Sequence, residues 1–268
     1  MAEPVTTEAW RDARAAARSA GVDIGVLTGA DVAIAQCLIE RVWGPREVPQ
    51  RNLLRAVAHA GNTLLLARRD SQPIGFVLGF LGWAGGLHLH SHMAAVIPGD
   101  QSRGVGYALK LWQRALCLQA GVDEMRWTYD PLIARNAHFN LVKLGADVVA
   151  YRPDFYGAMD DAVNAGDHSD RFEVSWRLRR PVGPAAGRRG RAGRVVAVLE
   201  IPKDYEALRR FDPGQARQVR QRARETIERA FAAGCGVEWS QDHYEFIRYE
   251  FIRSKERSNA ARSDGGPE

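Results

Sequence analysis

The apolar residues of this chain recur with two periods. Returns every three or four positions predict helices, and short alternating or continuous runs predict strands. Residues 1–20 read as a helix begun near Thr6 or Thr7, and residues 22–27 as a strand. Asp31 then stands where a helix would be capped, with Val32, Ile34, Ala35, Leu38, Ile39 and Val42 on one face. A second helix runs from about residue 49 to 60 and stops at Gly61. Strands at 63–67 and 74–83, joined by the turn RRDSQP, precede a third strand at 87–97. Apolar residues at helical spacing follow from Val105 through Ala108, Leu109, Trp112, Ala115 and Leu116. Beyond them come a strand at 124–129, a helix at 134–144 that Gly145 would cap, and a strand at 172–178. Farther on, a strand at 195–201, a helix at 213–233 and strands at 237–239 and 244–252 are predicted.

Composition narrows the class. With 46% hydrophobic residues among 268, the chain can bury a large core. It holds no apolar run long enough to span a membrane and no signal peptide at its start, so a cytoplasmic location is expected. Cys37, Cys117 and Cys235 are far apart and lack CxxC spacing, which suits reduced, buried thiols. The net charge of +5 would permit nucleic-acid binding, but the arginines concentrate around the Pro/Gly-rich stretch PVGPAAGRRGRAG without stacking aromatics between them. A solvated linker at 181–194 is the better reading, and no nucleic-acid partner is expected. The division that follows is an N-terminal helix (1–21), a main domain (22–180), the linker, an extension (195–253) and a tail (254–268) too poor in apolar residues to be ordered. The extension could complete a substrate pocket, form a homodimer surface or cover a sheet edge.

Chemistry concentrates in LHLHSHMAAVIPGDQSRGVGYALKLWQRALCLQA, residues 87–120. A strand, a glycine turn and a helix in succession aim the free N–H groups of a helix's first turn, and the positive end of its dipole, at the turn. An anion is the natural occupant. Gly104 and Gly106 keep side chains out of its way, and Arg103 adds a mobile positive charge. Two common phosphate loops fail: Val105 and Gly106 stand where a Walker A loop needs Lys and Ser/Thr, and Leu109 where the dinucleotide fingerprint needs glycine.

On the strand before the loop, His88, His90 and His92 alternate and should share a face. Imidazole titrates nearest neutrality, so His90 and His92 are candidate general bases for deprotonating an amine. Packed core histidines and a three-histidine zinc site compete with this reading. No metal is expected, because the loop accounts for the anion without one.

Gln101-x-x-Gly104-x-Gly106, preceded by Val96 and Pro98, resembles the coenzyme A pyrophosphate loop of the GNAT acyltransferase superfamily. His90-Ser91-His92-Met93-Ala94-Ala95-Val96 is similar to the His-x-His-Ala-x-Ala-Val run of its serotonin N-acetyltransferase members, in which two histidines lead the amine's proton away. The likeness covers about residues 22–180. It implies an α/β (α+β) GNAT fold: a mixed, mostly antiparallel central sheet flanked by helices, here with a C-terminal strand-helix-strand extension. It also implies strands that splay beside the histidines to admit the pantetheine arm, and an N-acyltransferase moving an acyl group from acetyl-CoA, or another acyl-CoA such as succinyl-CoA, to a small-molecule amine or amino acid. Ala94, Ala95, Val96, Gln101, Ser102, Arg103, Gly104, Val105, Gly106, Tyr107 and Asn136 would then contact the cofactor, with backbone amides near Ala94 forming an oxyanion hole. RNAHFNLVKLGA resembles the family's second cofactor segment, but its usual acid, a tyrosine, falls at Leu141. Tyr151 and Tyr156 are substitutes, and Asp130 could orient a histidine or hold the substrate ammonium. A non-catalytic acyl-CoA-binding protein on the same fold is the alternative.

Overall fold

The computed structural model describes residues 4–27, 31–157, 167–183 and 193–249. Helix α1 (Pro4–Ala20) buries Ala9, Ala13, Ala17 and Ala20, small residues at four- and three-residue steps that let it lie close against α4 (Val105–Gln119). Trp10 meets Trp112 edge to face across that contact, 5.2 Å between centroids. Strand β1 (Asp23–Val26), α2 (Val32–Trp43), α3 (Arg51–His59), β2 (Leu64–Arg69), β3 (Gln72–Gly82) and β4 (His88–Val96) lie between them in sequence. After α4 come β5 (Glu124–Tyr129), β6 (Asp147–Arg152) and β7 (Arg171–Arg177).

The seven strands form one sheet in the order β1-β2-β3-β4-β5-β7-β6. Every neighbouring pair is antiparallel except β4 with β5. Leu65, Ala67, Ile74 and Val77 pack with α1 and α4 on one face. Leu64, Leu66, Phe76 and Leu78 alternate with them and meet α2 and α3 on the other. A second sheet, β8 (Gly193–Glu200), β9 (Gly236–Ser240) and β10 (His243–Tyr249) in the order β8-β10-β9, is joined by α6 (Tyr205–Phe211) and α7 (Pro213–Ala232). Tyr205, Ile227, Tyr244 and Phe246 from this extension share one core cluster with Tyr129, Phe172 and Trp176 of the main sheet.

Several expectations change, among them that of a buried Cys37, which is exposed while Cys117 and Cys235 are buried. Residues 134–144 form a single α-turn, α5 (Ala134–Ala137), followed by a π-helical segment (His138–Lys143) rather than one α-helix. Strand β6 and helix α6 were not expected. Asp31 precedes α2 but makes no side-chain cap hydrogen bond. The tail (254–268), the end of the last predicted strand and most of the linker lie outside the described residues. Among the described residues no helix is long and apolar enough to cross a membrane.

Candidate functional site

The loop between β4 and α4 is shaped by backbone. Gly99 and Gly104 hold φ of 92° and 84°, a region that favours glycine, and Gly104 occupies the N-cap of α4. No side chain caps the helix, so the N–H groups of Val105, Gly106 and Tyr107 open into the loop with the positive end of the dipole. The first intrahelical bond, from Ala108 N–H to Gly104 O, is 2.9 Å. Gln101 ties the loop back to β4 by donating from Nε2 to Val96 O at 3.3 Å. Arg69 bonds Asp100 and also donates to Ala20 O at 2.9 Å, which pins the loop to the end of α1 and offsets the Asp100 carboxylate beside the cradle. Arg103 stays exposed, 3.8 Å from Asp100. The Tyr107 side chain leans into the core beside α1, where burial and Asp12 push its phenol up, so only its backbone faces the loop.

Strands β4 and β5 pair at two positions, Leu89 with Met125 and His90 with Arg126. Past these rungs, among the described residues, β5 pairs only with β7, and the β4 edge from Ser91 to Val96 has no strand partner on that side. The opening has a local cause. Opposite β3 the register slips, Leu78 facing Met93 while Gly79 faces Ser91, so His92 is the extra residue of a β-bulge that bends β4 away. Gly79 permits this packing: a Cβ there would come 2.8 Å from Thr63 Oγ1 and 2.9 Å from Gln113 Nε2.

The bulge keeps His90 and His92 together. Their ring centroids lie 6.0 Å apart, and Phe80 approaches them at 5.2 and 5.7 Å. Neither imidazole makes a hydrogen bond among the described residues. Burial, then the charges of His92, His88 and Lys110, lower His90 to about 4, with Glu173 opposing. Crowding of its ring by neighbouring groups lowers His92 through partial desolvation, while part of the side chain still reaches solvent. Both shifts favour the neutral ring near pH 7, and His92, the one open to solvent, is placed to take up a proton. His88 is instead buried over Gly82, its Nδ1 2.8 Å from Gly86 O. Among the described residues no group of His, Cys, Asp or Glu is arranged to hold a metal ion.

Asp130 does not meet a histidine. It is buried after β5, both of its oxygens accept from Arg220 of α7 at 2.7 Å, and Oδ1 also accepts from Leu132 N–H. Arg220 donates as well to Asp167 Oδ2, the oxygen that also accepts from the Tyr205 hydroxyl. A guanidinium inside an Arg/Glu-rich helix gave no sequence signal for this role. Tyr151 is spent too, donating to Asp170 at 2.6 Å, whereas Tyr156 is exposed with its hydroxyl 3.1 Å from Thr128 Oγ1 on the diverging half of β5. Leu141 is buried, Asn136 is half-buried on α5, and Asn140 accepts from Trp127 Nε1 at 3.1 Å. Glu173, Arg126 and Phe80, which the sequence reading did not single out, complete the surroundings of His90.

No family model matches this sequence, and no curated protein matches it. Solved structures do. Ribosomal-protein-S18-alanine N-acetyltransferase from Escherichia coli matches at 15% identity and a TM-score of 0.49, over 60% of this chain and 96% of that one. yncA from Salmonella typhimurium, solved with its cofactor acetyl-CoA, matches at 18% identity and a TM-score of 0.46, over 61% and 98%. An acetyltransferase of the GNAT family from Streptococcus pneumoniae matches at 13% identity and a TM-score of 0.49, over 58% and 99%. In fold, this chain is similar to GNAT acetyltransferases.

Proposed function

We propose that this chain is an acyl-CoA-dependent N-acyltransferase that moves an acetyl or succinyl group from CoA to a primary amine of a small molecule or amino acid. One observation carries the reading: an uncapped, glycine-lined helix start lies at the wide end of a strand pair that opens after two rungs, with His90 and His92 at its narrow end.

The diphosphate of the substrate rests on the N–H groups at residues 105–107, with Arg103 free to close over it. The pantetheine arm lies along the unpaired edge of β4 at Ala94, Ala95 and Val96. Backbone N–H groups near Ala94 hold the oxyanion that forms when the amine attacks the thioester carbonyl. His92, directly or through water, takes the proton the amine must lose, while His90 and Phe80 shape the approach. The C–N bond forms, the C–S bond breaks, and a thiolate stable enough to need no dedicated acid departs.

Incubation with acetyl-CoA and succinyl-CoA separately, over a panel of amines and amino acids with detection of free thiol, tests this. Amine-dependent thiol release is expected for at least one pairing. Tight acyl-CoA binding without release for any acceptor would refute transfer and favour the non-catalytic binding protein.

A further inference from the structure

Lys110 is a buried basic residue that this reaction does not use. Carried by α4 beneath the sheet, it is 4% exposed, with Nζ 2.7 Å from Ser91 Oγ, 4.0 Å from Met125 Sδ and 3.9 Å from the centroid of the Trp127 ring. No carboxylate among the described residues lies within ion-pair distance. The hydroxyl that accepts its hydrogen bond is itself committed: Ser91 donates to Gln113 Oε1 at 2.9 Å, and Gln113 donates to Thr63 Oγ1 at 2.8 Å. Each of these neighbours is neutral. A lysine held this way is costly, and burial drives it down to about 7. Methionine or leucine would fill the place at less cost, so packing alone does not account for it.

Its position does. Leu89 with Met125 and His90 with Arg126 are the two rungs that join β4 to β5. Ser91 and Trp127 are the next residue on each wall, and the ammonium touches both. Lys110 therefore floors the apex of the opening, six residues or about 9 Å along α4 from Gly104. A chain anchored at the glycine loop and laid along β4 from Val96 toward Ser91 would point its acyl group toward this nitrogen.

We propose that Lys110 is a carboxylate subsite and that the acyl group is one end of a dicarboxylic acid, its far carboxylate pairing with the ammonium at the apex. This rests on the reading that acyl-CoA occupies the opening, and it selects among donors that reading leaves open.

The test is titration calorimetry on the full chain at pH 7 with CoA, acetyl-CoA, butyryl-CoA, malonyl-CoA, succinyl-CoA and glutaryl-CoA. At least one of the last three should bind about ten- to a hundredfold tighter than butyryl-CoA, the scale of one charged hydrogen-bonded contact. Lys110→Met should erase that difference and leave the affinity for free CoA unchanged. Should the variant not fold, the wild-type comparison decides alone. Equal affinity for all the acyl-CoAs, with CoA still bound, overturns the subsite and leaves the CoA site standing, whereas no binding of CoA itself overturns both.

Discussion

Replacing Arg220 with methionine tests how the extension is attached to the main sheet. The guanidinium side chain is 2% exposed and makes three contacts of 2.7 Å, two to Asp130 and one to Asp167, over the Tyr205 ring. Without it, Asp130 keeps the Leu132 N–H, and Asp167 keeps the Tyr205 hydroxyl and a 3.6 Å contact with Arg209. Two carboxylates then share a dry site with too little positive charge. Breaking a buried ion pair from one side costs about 3–5 kcal/mol, which for a chain of this size lowers Tm by roughly 6–20 °C. Adding Asp130→Asn and Asp167→Asn to the variant should recover part of the loss, because the stranded charges go with it. The pH dependence has a fixed sign. Burial works to raise Asp167, but hydrogen bonds and charge from Arg220 prevail and hold it below the usual carboxylate range. Its contribution is full above about 3.9 and is lost as pH falls through the lower folded value. Urea unfolding of the wild type and both variants, at pH 7 and along an acid series, measures this. An Arg220→Met protein within about 1 kcal/mol of wild type at pH 7 would refute the clamp.

Other outcomes are expected at the site. His92→Asn should lower kcat by about 10²–10⁴ with CoA affinity unchanged, and a loss below about threefold would mean that solvent alone carries the proton. His90 titrates at about 4 when folded against 6.5 ordinarily, so the unfolded chain binds more protons between those values. Stability should accordingly rise with pH across that window in the wild type and less so in His90→Asn, as urea midpoints at pH 4.5 and 6.5 would show. Gly106→Val should weaken CoA binding in calorimetry with little change in Tm, because an added Cβ meets only Val96 Cγ2, at 4.0 Å. Unchanged affinity would place the diphosphate elsewhere.

What the sequence revealed was local. The loop and α4 were legible because glycine conformation and apolar spacing act within a few residues, and α4 begins at Val105 as its spacing predicts. Strand β6 was missed because DVVAYR lies at the sheet edge, where alternating burial is weak, and its partner β7 lies beyond a long connection. Helix α6 did carry a signal: Asp204 caps it by accepting from Ala207 N–H at 2.8 Å. Asp130 and Arg220 are 90 positions apart, and an arginine on a charged helix reads as solvated until tertiary contact buries it. Lys110 was hidden for the opposite reason. Helix α4 is buried nearly all round because α1 covers its outer side, so a polar residue within its apolar run looked incidental.

The central claim is that the α4 N-terminus grips the diphosphate of CoA and that the pantetheine arm enters the gap between β4 and β5. A crystal structure of the complex with CoA measures it directly. The account predicts diphosphate oxygens within hydrogen-bond distance of backbone nitrogens at residues 105–107 and the thiol beside the β4 backbone near Ala94. CoA bound on another surface, or the gap filled by side chains with the cofactor excluded, would contradict it.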